Sequence, residues 1–139
     1  MRITSLLAFA AILVLTIACK KNKDVVTLVG KWKQVSGSYS PAFMGETDYF
    51  SAYSACEKDD IIEFKANNTF EFTEGASKCD PADPQIIDAG NYSVNAELTS
   101  LSIFGQTIKI AVTNTTLTVT NTFDINGITY TDVSAHQRQ

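Results

Sequence analysis

Three cysteines, a single histidine and two groups of carboxylates are the side chains from which this chain could assemble a reactive centre. His136 falls in the last four residues, a stretch read as a free tail (136–139), so no histidine is left to activate a serine or cysteine nucleophile. Glu57, Asp59 and Asp60 form one acidic group, and Asp80, Asp83 and Asp88 the other. Carboxylates serve as acid and base where a cleft drives their acidities apart, and they hold calcium when a glycine turn spaces them. Neither group has the spacing of a metal loop, so both read as solvated turn residues. The expectation is a protein that is not an enzyme, with no catalytic residue, no metal and no cofactor.

Cys19 has a different setting. Residues 3–18 are almost wholly apolar after the lone early charge of Arg2, and the run is short for a membrane span of roughly 20 residues. A signal peptide over 1–18 is the better reading. The stretch Leu15-Thr16-Ile17-Ala18-Cys19 resembles a lipobox, with an aliphatic residue three before the cysteine and a small one just before it. The resemblance implies cleavage before Cys19 and attachment of palmitate-type acyl chains, a stable hold on a membrane. The alternative is an ordinary secretory signal with an incidental cysteine. With Cys19 assigned to lipid, Cys56 and Cys79 remain as one disulfide pair in a compartment that permits it. Lys20, Lys21 and Lys23 follow in a tether (19–27), either against anionic lipid or as a solvated linker. Net charge is −4, and −5 once Arg2 leaves with the signal. No basic face exists for nucleic acid, which excludes that partner.

The elements that must position any site are short strands. Period-two alternation between Gly, Asn, Asp and Pro predicts eight of them, at 28–36, 60–65, 69–74, 89–94, 98–104, 107–113, 116–123 and 127–135. The turns between neighbours are short, which favours an antiparallel up-and-down meander that closes into an eight-stranded β-barrel over 28–135. Alternation assigns Ile62, Phe64, Phe70, Phe72, Ile108, Ile110, Val112, Leu117, Val119, Phe123 and Tyr130 to the lumen. A barrel of this size is filled by side chains or holds one small ligand. The aperiodic stretch 37–55 reads as a loop crowded with Tyr39, Phe43, Met44, Tyr49, Phe50 and Tyr53. These are either a ligand lid or a cap on a filled core.

Leu28-Val29-Gly30-Lys31-Trp32 carries the Gly-x-Trp that opens the first strand of lipocalins. Together with the lipobox, Cys56-Glu57-Lys58-Asp59-Asp60, Phe64-Lys65, Asn68-Thr69-Phe70 and Cys79, it resembles the lipocalin-like domain of bacterial lipoproteins, over roughly 28–130. The resemblance implies that Trp32 plugs the closed end of the barrel and that Gly30 allows close approach there. It also implies a cation from the last strand stacked on the tryptophan. Arg138 is the one candidate, and it falls beyond the predicted end of that strand.

Two functions follow as expectations. One is a lipid-anchored extracytoplasmic binder of a small hydrophobic or amphipathic ligand, held in or at the mouth of the barrel. The other is a noncatalytic interaction module with a filled barrel and an unknown protein or envelope partner. Lys20, in place of the aspartate that retains such proteins in the inner membrane, points to the outer membrane.

Overall fold

The computed structural model describes residues 25–139. The signal peptide, Cys19 and the lysines of the tether lie outside the described residues. Ten strands form one antiparallel sheet: β1 (Gly30–Phe43), β2 (Glu46–Asp48), β3 (Ile61–Phe64), β4 (Thr69–Thr73), β5 (Ile86–Asn91), β6 (Ser93–Val94), β7 (Ser100–Ile103), β8 (Gln106–Val112), β9 (Thr116–Ile125) and β10 (Ile128–Arg138). The order is β5-β4-β3-β1-β10-β9-β8-β7-β6, with β2 paired to β1 alone. First and last strands meet, as an up-and-down barrel requires.

The predicted count of eight differs from ten for two reasons. The predicted strand 89–94 is divided at Tyr92 into β5 and β6, which stand at opposite ends of the sheet order. Tyr92 is therefore the seam at which the sheet meets itself. Its amide donates to Asn68 O at 2.9 Å, its hydroxyl donates to Lys65 O at 2.9 Å, and its ring meets Phe64 edge-on at 4.9 Å. The second difference lies in the stretch 37–55. β1 continues to Phe43, turns at Met44 and Gly45, and returns as β2, so half of the predicted loop is strand.

β1 spans that distance by changing phase. Its register against β10 shifts between Gln34 and Ser36, a bulge that leaves Val35 exposed. Trp32 and Gln34 face the interior before it, Gly37 and Tyr39 after it, because one extra residue reverses the alternation. β10 also exceeds its predicted end at Ala135. Backbone pairing to β1 continues through Trp32–Arg138, so the predicted tail 136–139 is strand as far as Arg138.

The packed core fills the closed end, with Leu28, Trp32, Phe64, Phe70, Tyr92, Leu101, Ile103, Ile110 and Leu117 buried together. Trp32 is 0% exposed and its indole donates to Leu28 O at 2.8 Å. Arg138 lies over that indole, its guanidinium carbon 4.1 Å from the ring centroid. The same guanidinium donates to Val29 O at 2.8 Å, Thr27 O at 2.6 Å and Asn114 O at 2.8 Å. Gly30 is obligatory here: its φ of +137° disfavours a side chain, and a Cβ would come within 2.3 Å of Arg138 Nη1. Cys56 and Cys79 are bonded, with Cα atoms 5.3 Å apart. The bridge ties the 3-10 turn Glu57–Asp59 to the segment between β4 and β5 and contributes roughly 3 kcal/mol on chain-entropy grounds.

The seam yields a graded expectation in denaturant unfolding. Tyr92→Phe removes one hydrogen bond and should cost about 1 kcal/mol, whereas Tyr92→Ala also removes the ring and should cost about 3–5 kcal/mol. Equal costs for the two would mean that the ring does not close the barrel.

Candidate functional site

Two cavities lie above the packed core. The deeper one has a volume of about 210 Å³ and is lined by Ile62, Phe64, Leu101, Ile103, Phe104, Ile108, Leu117, Val119, Ser134 and His136. The one nearer the mouth, about 260 Å³, is lined by Gln34, Tyr53, Glu57, Asp60, Ile62, Phe72 and His136. Ile62 and His136 line both, so they stand at the boundary of an apolar chamber and a polar one. Each alone is smaller than the roughly 300–1,000 Å³ of ordinary ligand pockets, and together they fall inside that range.

His136 overturns its reading as a tail residue. β10 pairs it with Gln34 on one side and Leu117 on the other, and its parity with Ser134 and Arg138 turns it inward. Burial holds the imidazole well below its ordinary value of 6.5, at about 4, and a hydrogen bond to the Leu117 backbone offsets only part of that. The ring is thus neutral at physiological pH. Its Nδ1 is buried without a hydrogen-bond partner among the described residues.

Asp60 is likewise more than a solvated turn residue. It follows the 3-10 turn directly, and its Oδ1 is buried with no partner among the described residues. Burial, then the neighbouring Glu74, lifts its carboxyl from 3.8 to about 6; Asp59 and Glu57 add to this and a backbone hydrogen bond from Gly75 opposes it. Glu57 goes the other way. It accepts from the Ser54 amide at 2.7 Å and the Ser54 hydroxyl at 2.8 Å, which hold its exposed carboxyl below the usual range. Asp59 accepts from the Ser77 amide at 3.0 Å and lies outside both chambers.

Of the six aromatic and methionine residues expected to form a lid, Tyr53 alone lines a chamber. Tyr49 packs over Gly37, where a Cβ would come within 2.3 Å of its ring, and donates to Asp132 Oδ1 at 2.9 Å. Burial first, and then that carboxylate, raises the Tyr49 hydroxyl pKa. Tyr39 and Phe43 meet Phe123 and Tyr130 edge-to-face, and Phe123 and Tyr130 stack on each other, in a cluster with centroids 5.1–6.3 Å apart. Phe123 and Tyr130, assigned to the lumen, therefore sit on the part of β9 and β10 that extends beyond the mouth, outside both chambers. Phe50 packs tilted against Tyr53, with Lys58 Nζ 5.5 Å from the Phe50 centroid. Met44 is 88% exposed at the β1–β2 turn and lines neither chamber.

The other expected lumen residues face inward at different depths. Ile62, Phe64, Ile108, Leu117 and Val119 line the deeper chamber and Phe72 the outer one. Phe70 and Ile110 belong to the packed floor, and Val112 packs against it. Leu101, Ile103 and Phe104 were missed. Leu101 and Ile103 alternate along β7, a signal available in the sequence, whereas Phe104 follows Ile103 directly and is placed by the β7–β8 turn. Among the described residues no group of three or more His, Cys, Asp or Glu could hold a metal ion, and no helix is long and apolar enough to cross a membrane.

A closed antiparallel barrel, plugged by a tryptophan at one end and chambered at the other, defines the class of protein. The chain belongs to the lipocalin-like domain family, whose model matches residues 28–133. No curated protein and no solved structure matches it. A barrel of this family is a fold suited to binding small ligands.

The two buried groups give opposite pH dependences. Folding favours neutral His136, so its contribution is complete above about 6.5 and is lost as pH falls toward about 4. Folding favours protonated Asp60, so its contribution is complete below about 3.8 and is lost as pH rises through about 6. Asp60→Asn should thus stabilise the protein at pH 7 relative to the parent, and more than at pH 4. NMR titration should find the His136 ring neutral down to about pH 4; a midpoint near 6.5 would place it in solvent.

Proposed function

We propose that the protein is a noncatalytic, lipid-anchored extracytoplasmic barrel that binds a small hydrophobic or amphipathic molecule. The observation that carries the reading is the apolar chamber of about 210 Å³ between Ile62, Ile108, Leu117 and Val119, which shares Ile62 and His136 with a polar one lined by Tyr53. Apolar walls supply affinity and the few polar groups at the boundary orient what enters. The volume favours a short molecule over a long acyl chain. The lipobox at Cys19 supports anchoring to a membrane, and Lys20 after it supports the outer one. A second reading, an interaction module with a protein or envelope partner, draws on the cluster of Tyr39, Phe43, Phe123 and Tyr130 beyond the mouth.

Native mass spectrometry of gently purified protein should show a bound small hydrophobe. Ile108→Phe, which fills part of the deeper chamber, should leave the fold intact and remove that mass. Retention of the ligand by the folded variant would place binding elsewhere. Cys19→Ser should move the protein from the membrane fraction to the soluble one, and a variant that stays on membranes would contradict lipid anchoring.

A further inference from the structure

Glu57 and Asp60 bring two carboxyl groups to the outer chamber, and among the described residues no Lys or Arg lines either chamber. Lys58, between them in sequence, is turned elsewhere: its Nζ donates to Ser51 O at 3.1 Å and lies over Phe50. Beside the Tyr53 hydroxyl, the outer chamber holds buried polar atoms left without a partner. Asp60 Oδ1 is one. His136 Nδ1 is another, and a neutral imidazole keeps one of its two ring nitrogens as a lone pair. Gln34 donates one amide N–H to Ser36 O at 3.1 Å, and its carbonyl oxygen has no partner among the described residues. Acceptors buried without donors are costly, and they match a molecule made of donors.

We infer that the outer chamber takes the ammonium head of a small primary alkylamine, with its apolar tail running past Ile62 and His136 into the deeper chamber. An ammonium group carries three N–H donors, one positive charge and no acceptor. It answers Asp60 Oδ1, His136 Nδ1 and the charge of Glu57 at once. A fatty acid or phosphate of the same tail length would set acceptors against acceptors and negative charge against negative. Asp60 is also crowded by Glu74, Asp59 and Glu57, a repulsion that an arriving cation relieves. The tail meets Phe64, Ile108, Leu117 and Val119, and the volume of about 210 Å³ limits its length. The inference rests on the small-ligand reading above and names its head group.

Hexylamine, hexanol and hexanoate, titrated separately into the whole folded protein, test it with one tail and three heads. Binding is read from the methyl NMR shifts of Ile62, Leu117 and Val119. Hexylamine should bind about tenfold more tightly than hexanol, with hexanoate weakest. Asp60→Asn should bring hexylamine down to the level of hexanol. Glu57→Gln, an exposed substitution that spares the fold, should reduce the preference about two- to threefold, and an unchanged preference in that variant would overturn the inference. Hexanol equal to hexylamine, or hexanoate equal or tighter, would overturn the amine head while leaving a small-ligand site. No shift with any of the three would overturn both.

Discussion

The guanidinium of Arg138 holds together parts of the chain that are far apart in sequence. Stacked on Trp32 and bonded to carbonyls of Thr27, Val29 and Asn114, it fastens the last strand to the first and to the turn before β9. Charge-assisted bonds to backbone carbonyls are stronger than neutral ones, and the cation over a desolvated indole adds about 0.5–2 kcal/mol. The more important effect is geometric. With Arg138 turned inward, every second residue of β10 must be inward too, which brings Ser134 and His136 to the chambers and Asp132 to Tyr49. The plug at the closed end thus sets which side chains face a ligand at the open one.

The interior is graded from floor to mouth by strand length. β3, β4 and β7 are short, so their inward residues stop at the level of Ile62, Phe72 and Ile103. β1, β9 and β10 run on above them and carry Tyr39, Phe123, Tyr130 and Asp132 at that height. The result is a dense floor, an apolar chamber, a polar chamber and an aromatic ledge in sequence. A neutral histidine stands at the middle boundary, where a fully charged group would be too costly and a purely apolar one would give no orientation.

Much of this was legible in the residues themselves. The alternation of Ile108-Lys109-Ile110 and Leu117-Thr118-Val119 revealed two walls of the barrel, because in those strands the inner face is aliphatic and the outer polar. β10 was legible only in part. Its strand was predicted as far as Ala135 and Tyr130 was assigned to the lumen, but Val133 and Ala135 alternate with polar inward residues, Asp132, Ser134 and His136, so the hydrophobic pattern did not carry the inner face on to His136. The bulge at Val35 had a similar effect on β1. It reverses the phase between Gln34 and Gly37, and a strand read with one phase dissolves into an aperiodic loop. Asp60 was misjudged because two of the groups that act on it, the Glu74 charge and the Gly75 backbone amide, are distant in sequence.

The inward face of β10 is the claim from which the chambers, the neutral histidine and the ligand's orientation follow. A NOESY spectrum of the folded protein addresses it directly. Cross-peaks are expected from the His136 ring protons to the methyl groups of Ile62 and Leu117, residues that share the chamber with it. A His136 ring with no cross-peak to either, and with the shifts of a solvent-exposed imidazole, would contradict it.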